Sequence, residues 1–170
     1  MKLPINFNKW IDSNRHLLKP PVGNQVVYKD TEFIIMVVGG PNKRKDFHVD
    51  VGEEFFYQLE GDMLLKIIED NRIKNIKIEE GHIFLLPPNI PHSPQRFKNT
   101  VGLVIERKRK DGELDGFQWY CDFCEVLLYE TFIQLTDIVS QLPVIFEEYW
   151  SNKEKRTCKE CGNIQSKPNN

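Results

Sequence analysis

His48-Val-Asp-Val-Gly-Glu-Glu54-Phe-Phe-Tyr-Gln-Leu-Glu-Gly61 is the stretch that decides the reading of this chain, and Gly81-His-Ile-Phe-Leu-Leu-Pro87-Pro-Asn-Ile-Pro-His92 completes it. A histidine and a glutamate stand a few residues apart, and a second histidine follows about one long hairpin later. His48 precedes a loop, Glu54 opens a β-rich run, and His92 lies just beyond another. In a β-barrel such positions converge at one mouth. Two imidazoles and one carboxylate hold Fe(II) on one face of its octahedron and leave the opposite face open for dioxygen and a chelating molecule. Singly, each residue reads as a structural histidine or a solvated acid. Together, in this spacing, His48, Glu54 and His92 read as a metal site. His16 and His82 have no carboxylate at ligand spacing and read as surface or packing residues.

Outward from these segments, residues 24–106 break into short β-rich runs: Gln25–Tyr28, Glu32–Val38, Glu54–Leu59, Met63–Ile68, Asn75–Ile78, His82–Leu86 and Val101–Glu106. Turn signals separate them, among them Gly39-Gly40-Pro41, Glu60-Gly61-Asp62, Asp70-Asn71, Glu80-Gly81 and Pro87-Pro88-Asn89. Many short strands at this spacing predict a mainly β, antiparallel sandwich or barrel. Before it, Phe7 to about Leu18 reads as a short amphipathic helix that Lys19-Pro20-Pro21 ends. After it, a helix-like stretch runs from Glu130 to Trp150, interrupted by Pro143. The expected organisation is a barrel with its N-terminal helix over residues 1–118 and a helical extension over 119–170, forming one structural unit. The tail from Gln165 to Asn170 is expected to fray.

A chain of 170 residues supports one core-bearing domain with a small appendage. Its 40% hydrophobic and 28% charged residues are ordinary for a soluble globule. A net charge of -2 gives no electrostatic footprint for nucleic acid or an acidic membrane. The basic run Arg107-Lys-Arg-Lys110 is followed at once by Asp111, Glu113 and Asp115, and reads as a solvated loop. The N-terminus has no apolar h-region and no apolar run is long enough to cross a bilayer, so a cytoplasmic protein is expected.

All four cysteines fall in two Cys-x₂-Cys knuckles, Cys121-Asp-Phe-Cys124 and Cys158-Lys-Glu-Cys161-Gly162. Four thiolates so spaced form a tetrahedral site for zinc or for one rubredoxin-like iron. No cysteine is left over, and an intracellular setting disfavours disulfides. With no free coordination position, this site is expected to be structural, tethering the helical tail to Trp119-Tyr120.

The two histidine segments resemble the cupin motifs. His48, Glu54 and Gly61 fill the first motif, with Asp50 where many cupins carry a further histidine. Gly81, Pro87 and His92 fill the second, with Asn89 in place of its turn glycine. The expected fold is therefore a cupin-type antiparallel β-barrel, or jelly roll. Nearly the whole chain resembles the 3-hydroxyanthranilate 3,4-dioxygenase family, in the form with an extra cysteine metal site. The matching stretches include Leu18-Lys-Pro-Pro-Val22, Val38-Gly-Gly-Pro-Asn42, Glu53-Glu-Phe-Phe-Tyr-Gln58, Pro91-His-Ser-Pro-Gln-Arg96, Val104-Ile-Glu-Arg107 and Trp119-Tyr-Cys-Asp-Phe-Cys124.

That resemblance implies Fe(II)-dependent extradiol opening of an aminophenol carboxylic acid by O₂, in the kynurenine pathway toward quinolinate and NAD. It implies catalytic and substrate roles for Arg44, Arg96 and Glu106, and substrate contacts for Asn24 and Glu54. It favours a second iron over zinc at Cys121, Cys124, Cys158 and Cys161, and a homodimer. A facial triad leaves three positions for a bidentate substrate plus O₂, so the absent further histidine suits that chemistry. Asp50 is expected to support the site without ligating. Two rival readings are a different cupin metalloenzyme, such as a thiol dioxygenase or a sugar-phosphate isomerase, and a non-enzymatic metal-binding cupin. The isomerases require more basic groups for phosphate, and a mere carrier does not require an open site flanked by two arginines.

Overall fold

The computed structural model of the chain describes residues 3–20, 23–136 and 138–168. Pro21 and Val22, in one matched stretch, and Asn169-Asn170, in the tail expected to fray, lie outside the described residues. In chain order the elements are α1 (Phe7–Asn14), β1 (Asn24–Val26), β2 (Phe33–Gly39), β3 (Asp46–Val49), β4 (Glu54–Glu60), β5 (Met63–Glu69), β6 (Arg72–Ile78), β7 (Ile83–Leu86), β8 (His92–Arg96), β9 (Val101–Arg107), β10 (Asp115–Tyr120), β11 (Leu127–Ile133), α2 (Ile138–Ser151) and α3 (Lys153–Arg156). Two antiparallel sheets face each other, ordered β1-β2-β9-β4-β7 and β11-β10-β3-β8-β5-β6. This is the mainly β, cupin-type architecture the sequence leads one to expect.

Alternation explains the sandwich. In β5, Met63, Leu65 and Ile67 are buried; in β4, Phe56 is buried between the inward polar residues Glu54 and Gln58. These residues meet Met36, Ile78, Leu86 and Val104 in one apolar core. Full burial of each such side chain contributes about 1.5–3 kcal/mol. The pocket that holds the site adjoins this core and shares Met36, Phe56 and Val104 with it.

Asn6 caps α1 by accepting a hydrogen bond from the Lys9 N–H at 3.0 Å. The helix lays Ile11 against Val37 and Val101 on the outer face of the first sheet. It ends at Asn14 and passes into a 3-10 turn over Arg15–Leu17, shorter than the sequence suggests. The rest of that outer face remains bare, with Phe33, Ile83 and Leu85 all more than half exposed. At the opposite side, α2 packs Ile145 and Tyr149 on Phe117 and Trp119 of β10. Tyr149 stacks on Trp119 with ring centroids 4.3 Å apart.

Four strands escape a reading by apolar runs. His48 lies within β3, one residue before the loop that leads to β4, and His92 opens β8. Both strands carry polar residues inward because their inner face is the site, so apolar alternation is lost. β10 and β11 are the other two. Residues 130–133, expected to begin the C-terminal helix, instead pair with β10, where Glu130 faces Gln118. The helix begins at Ile138. No helix among the described residues is long and apolar enough to cross a membrane.

Candidate metal centre and substrate pocket

Register brings the three expected ligands together. His48 and His92 are direct partners across β3 and β8. Glu54 begins β4 on the facing sheet with its side chain inward, 6% exposed. Glu54 Oε1 lies 3.0 Å from His92 Nε2 and 3.3 Å from His48 Nδ1. Although it is that close to both rings and buried, the oxygen has no hydrogen bond of proper geometry. A buried carboxylate oxygen without a partner costs free energy unless a cation sits there. Donors about 2.1 Å from one ion and at right angles lie about 3.0 Å apart. The observed spacings match, so the residues present fit a metal held on one face.

Each imidazole is oriented by what its other nitrogen meets. His92 Nδ1 lies 3.0 Å from the Ile90 carbonyl, and His48 Nε2 lies 2.7 Å from Asp115 Oδ1. The His48 ring also stacks on Phe117, 5.4 Å away. In the metal-free protein, burial pushes the His48 imidazole down, but Asp115 and Glu54 outweigh it and bring it up to about 9. Burial likewise opposes the Glu54 charge, yet the two imidazoles hold its carboxyl well below the usual range. A metal taking these lone pairs displaces the proton.

The cavity beside the triad measures about 150 Å³. Asn24, Arg44, Arg96 and Glu106 all line it, so every expected substrate residue reaches one pocket. Met36, Val38, Phe56, Val104 and Leu142 supply its apolar wall. Arg96 is 3% exposed, and among the described residues no carboxylate pairs with it. Its Nη1 donates to Gln58 Oε1 at 3.3 Å. A Cβ on Gly102 would lie 2.5 Å from that nitrogen and 2.8 Å from that oxygen, so glycine leaves the room the guanidinium occupies. Burial, then the charge of Arg44, pushes the Arg96 guanidinium down to about 10. Arg44 is itself clamped by the Asp46 carboxylate. Glu106 pairs across the sheet with Glu54 and is 5% exposed. Burial and the Glu54 charge raise its carboxyl to about 7.

Two residues of this region went unread in the sequence. Arg109, within the run taken as a solvated loop, has a side chain only 6% exposed and contacts Asp50, Glu106 and Asp115. Its flanking lysines are exposed, as a loop reading requires. Asp115, fully buried, is the His48 partner. The acidic positions after the basic run were the only signal available. Asp50 lies beside the triad, a carboxylate oxygen within 4.8 Å of those of Glu54 and Glu106; its Oδ1 accepts the Gly52 N–H at 2.7 Å, and its Oδ2 lies 2.9 Å from Arg109 without hydrogen-bond geometry.

The four cysteines also meet. Cys121–Cys161, Cys124–Cys158 and Cys124–Cys161 sulfurs are 3.6, 3.5 and 3.5 Å apart. Disulfide sulfurs are about 2.05 Å apart. Thiolates about 2.3 Å from a shared tetrahedral ion are about 3.8 Å apart, close to what is observed. Each knuckle turns through a left-handed residue, Glu125 at φ 62° and Gly162 at φ 76°. Burial pushes the Cys121 thiol up, yet the Cys124 and Phe123 backbone N–H groups bring it down to about 6.

Comparison with known proteins points to one family. The family model described as 3-hydroxyanthranilic acid dioxygenase matches residues 1–150. A 3-hydroxyanthranilate 3,4-dioxygenase from Paraburkholderia phytofirmans is 52% identical over 162 residues, covering 95% of this chain and 93% of its own length. One from Jannaschia sp. is 52% identical over 161 residues, covering 94% and 89%. Among solved structures, a protein from Neisseria meningitidis superposes with a TM-score of 0.50 at 17% identity, covering 62% of this chain and 99% of that one, a likeness of fold alone.

Proposed function

The chain belongs to the 3-hydroxyanthranilic acid dioxygenase family, and from that premise we propose that it opens the ring of 3-hydroxyanthranilate with dioxygen, giving 2-amino-3-carboxymuconate 6-semialdehyde. That product leads to quinolinate and NAD in the kynurenine pathway. His48, Glu54 and His92 hold the ferrous ion. The observation that carries this reading is the buried, unpaired Glu54 Oε1 between two imidazole nitrogens at 3.0 and 3.3 Å. When bound, Fe(II) supplies open positions for the substrate and dioxygen and a route for electrons between them.

The surrounding side chains bind, orient and move protons. Arg96 offers its planar fork to the substrate carboxylate, the partner it lacks among the described residues. Gln58 and Gly102 seat that fork. Arg44, tied to Asp46, adds positive charge to the same pocket. Glu106 accepts the proton that the substrate loses on binding. Its Oε1 lies 3.0 Å from Arg109 Nη1, which leaves Oε2 for that proton. Met36, Phe56 and Val104 hold the ring and exclude water. Asn24 lines the rim of the same pocket.

The four cysteines hold a second metal, iron by the family resemblance, in a structural role. The enzyme works in the cytoplasm as a homodimer. The bare outer face of the first sheet, with a groove of about 390 Å³ bounded by Phe33, Phe55, Leu85 and Ile105, supports pairing through that face. The test is anaerobic Fe(II) loading followed by 3-hydroxyanthranilate and air. A new semialdehyde absorbance is expected. No product from a fully loaded site overturns the reading.

A further inference from the structure

The loop at residues 40–45, which carries Arg44 from β2 to β3, is moored to β8 by side-chain amides. Asn42 Nδ2 donates to the Pro94 carbonyl at 2.9 Å, and Asn42 Oδ1 accepts the Arg96 N–H at 2.8 Å. The Asn42 backbone N–H donates to the Arg96 carbonyl at 3.1 Å. Asn42 is thus fastened to the strand that bears Arg96, two residues before Arg44.

The sequence explains why a side chain is needed here. β3 and β8 pair at His48 and His92 and, among the described residues, no further. Two residues beyond His92, Pro94 has no N–H to give a ladder. The strands part, and the Pro94 carbonyl and the Arg96 N–H are left to a loop. A carboxamide is donor and acceptor at once, so one Asn side chain serves both groups, as the backbone of a neighbouring strand would. Gly40 lets the loop come this close: a Cβ there would lie 2.0 Å from the Phe97 carbonyl oxygen and 3.1 Å from Arg96 Cβ. On the other flank, Gln95 Nε2 donates to the Arg44 carbonyl at 3.3 Å. Arg44 is therefore held against β8 from both sides.

This mooring bears on charge. Asn42, Arg44 and Arg96 line the same cavity. The two cations repel each other, and the Arg44 charge adds to burial in disfavouring the Arg96 guanidinium. In an untethered loop, Arg44 would gain by turning toward water, away from Arg96. A moored loop keeps both guanidinium groups at one spacing before any ligand arrives, which lowers the cost of binding an anion between them.

We propose that Asn42 is a positioning residue for substrate recognition: by mooring the β2–β3 loop to β8 it fixes Arg44 relative to Arg96, so that both charges meet one carboxylated ligand. This rests on the proposed ring-opening function, and the measurements separate the two.

Anaerobic calorimetry of the Fe(II)-loaded protein compares binding of 3-hydroxyanthranilate with that of 2-aminophenol, which lacks the carboxylate. Asn42→Ala should raise the dissociation constant for 3-hydroxyanthranilate about tenfold and narrow the ratio between the two ligands. In turnover, KM should rise more than kcat falls. In an Arg44→Met background the same substitution should change that constant by less than about twofold, because its effect runs through Arg44. An unchanged ligand ratio in Asn42→Ala, or the same loss in both backgrounds, overturns the proposal. If Asn42→Ala fails to fold, as loss of the thiolate-bound metal would show, Gln95→Ala decides by the same ratio, since it frees the Arg44 carbonyl. Wild-type protein that binds both ligands alike would instead remove the reading of the pocket on which the proposal stands.

Discussion

Replacing Arg96 with methionine keeps an unbranched apolar stem and removes the guanidinium with its charge, and the structure fixes what should follow. The guanidinium is 3% exposed, meets no carboxylate among the described residues and makes one side-chain hydrogen bond, to Gln58. Its descent from 12.5 to about 10 corresponds to roughly 3 kcal/mol against the charged form in the empty protein. Losing the charge recovers part of that, offset by about 1–2 kcal/mol for an unpaired Gln58 oxygen. Thermal stability should therefore be unchanged or slightly higher. Binding should suffer. Truncating one partner of a buried, hydrogen-bonded charge pair costs about 2–5 kcal/mol. With 3-hydroxyanthranilate, kcat/KM should fall by about 10²-fold, through KM more than through metal content. With 2-aminophenol, which lacks the carboxylate, wild type and R96M should turn over alike. Steady-state oxygen consumption with both substrates, beside a thermal melt, measures all of this. If R96M still prefers the carboxylated substrate as strongly as wild type, or melts as if a core side chain had been deleted, the reasoning fails.

Gly102→Ala should push Arg96 and Gln58 aside, since its Cβ would sit 2.5 Å from the Arg96 nitrogen; KM should rise about tenfold and stability fall by about 1–3 kcal/mol in a denaturant titration. Glu106→Gln should lower kcat by about 10²–10⁴-fold with the iron retained, as metal analysis beside turnover would report. Cys158→Ser should release the thiolate-bound metal and loosen the segment around Thr157 and Ile164, while Fe(II) affinity at the histidine site stays the same. Arg107 holds the Glu113 carboxyl down to about 2. A depressed carboxylate stabilises the fold above its unfolded value, near 4.3, and that gain disappears as pH falls toward 2. Glu113→Gln should melt lower than wild type at pH 6, and the two melts should converge as the pH is lowered through that window.

The clustering of His48, Glu54 and His92 was legible because two histidines and a glutamate at motif spacing have few other uses, and that of the cysteine knuckles because all four cysteines are consumed. Runs such as Met63–Ile68 announce a strand because alternate residues enter an apolar core. β3 and β8 do not, because their inward residues are Asp46, His48, His92 and Arg96, which face the pocket. Pro94 further disguises β8. Local propensity also misplaced Glu130–Ile133, whose strand pairing is a tertiary matter decided by β10. Arg109 was unreadable for a related reason. Among four consecutive basic residues nothing local marks the one that turns inward. Its burial follows from Asp50, Glu106 and Asp115 converging on it from three separate elements.

The account stands on one ion at one place. An anaerobic crystal structure of the Fe(II)-loaded protein with 3-hydroxyanthranilate, with anomalous data at the iron edge, reads that place directly. The predicted result is a peak bounded by His48, Glu54 and His92, with the substrate carboxylate on Arg96. A peak elsewhere, or a fourth protein side chain closing the open face, would contradict it.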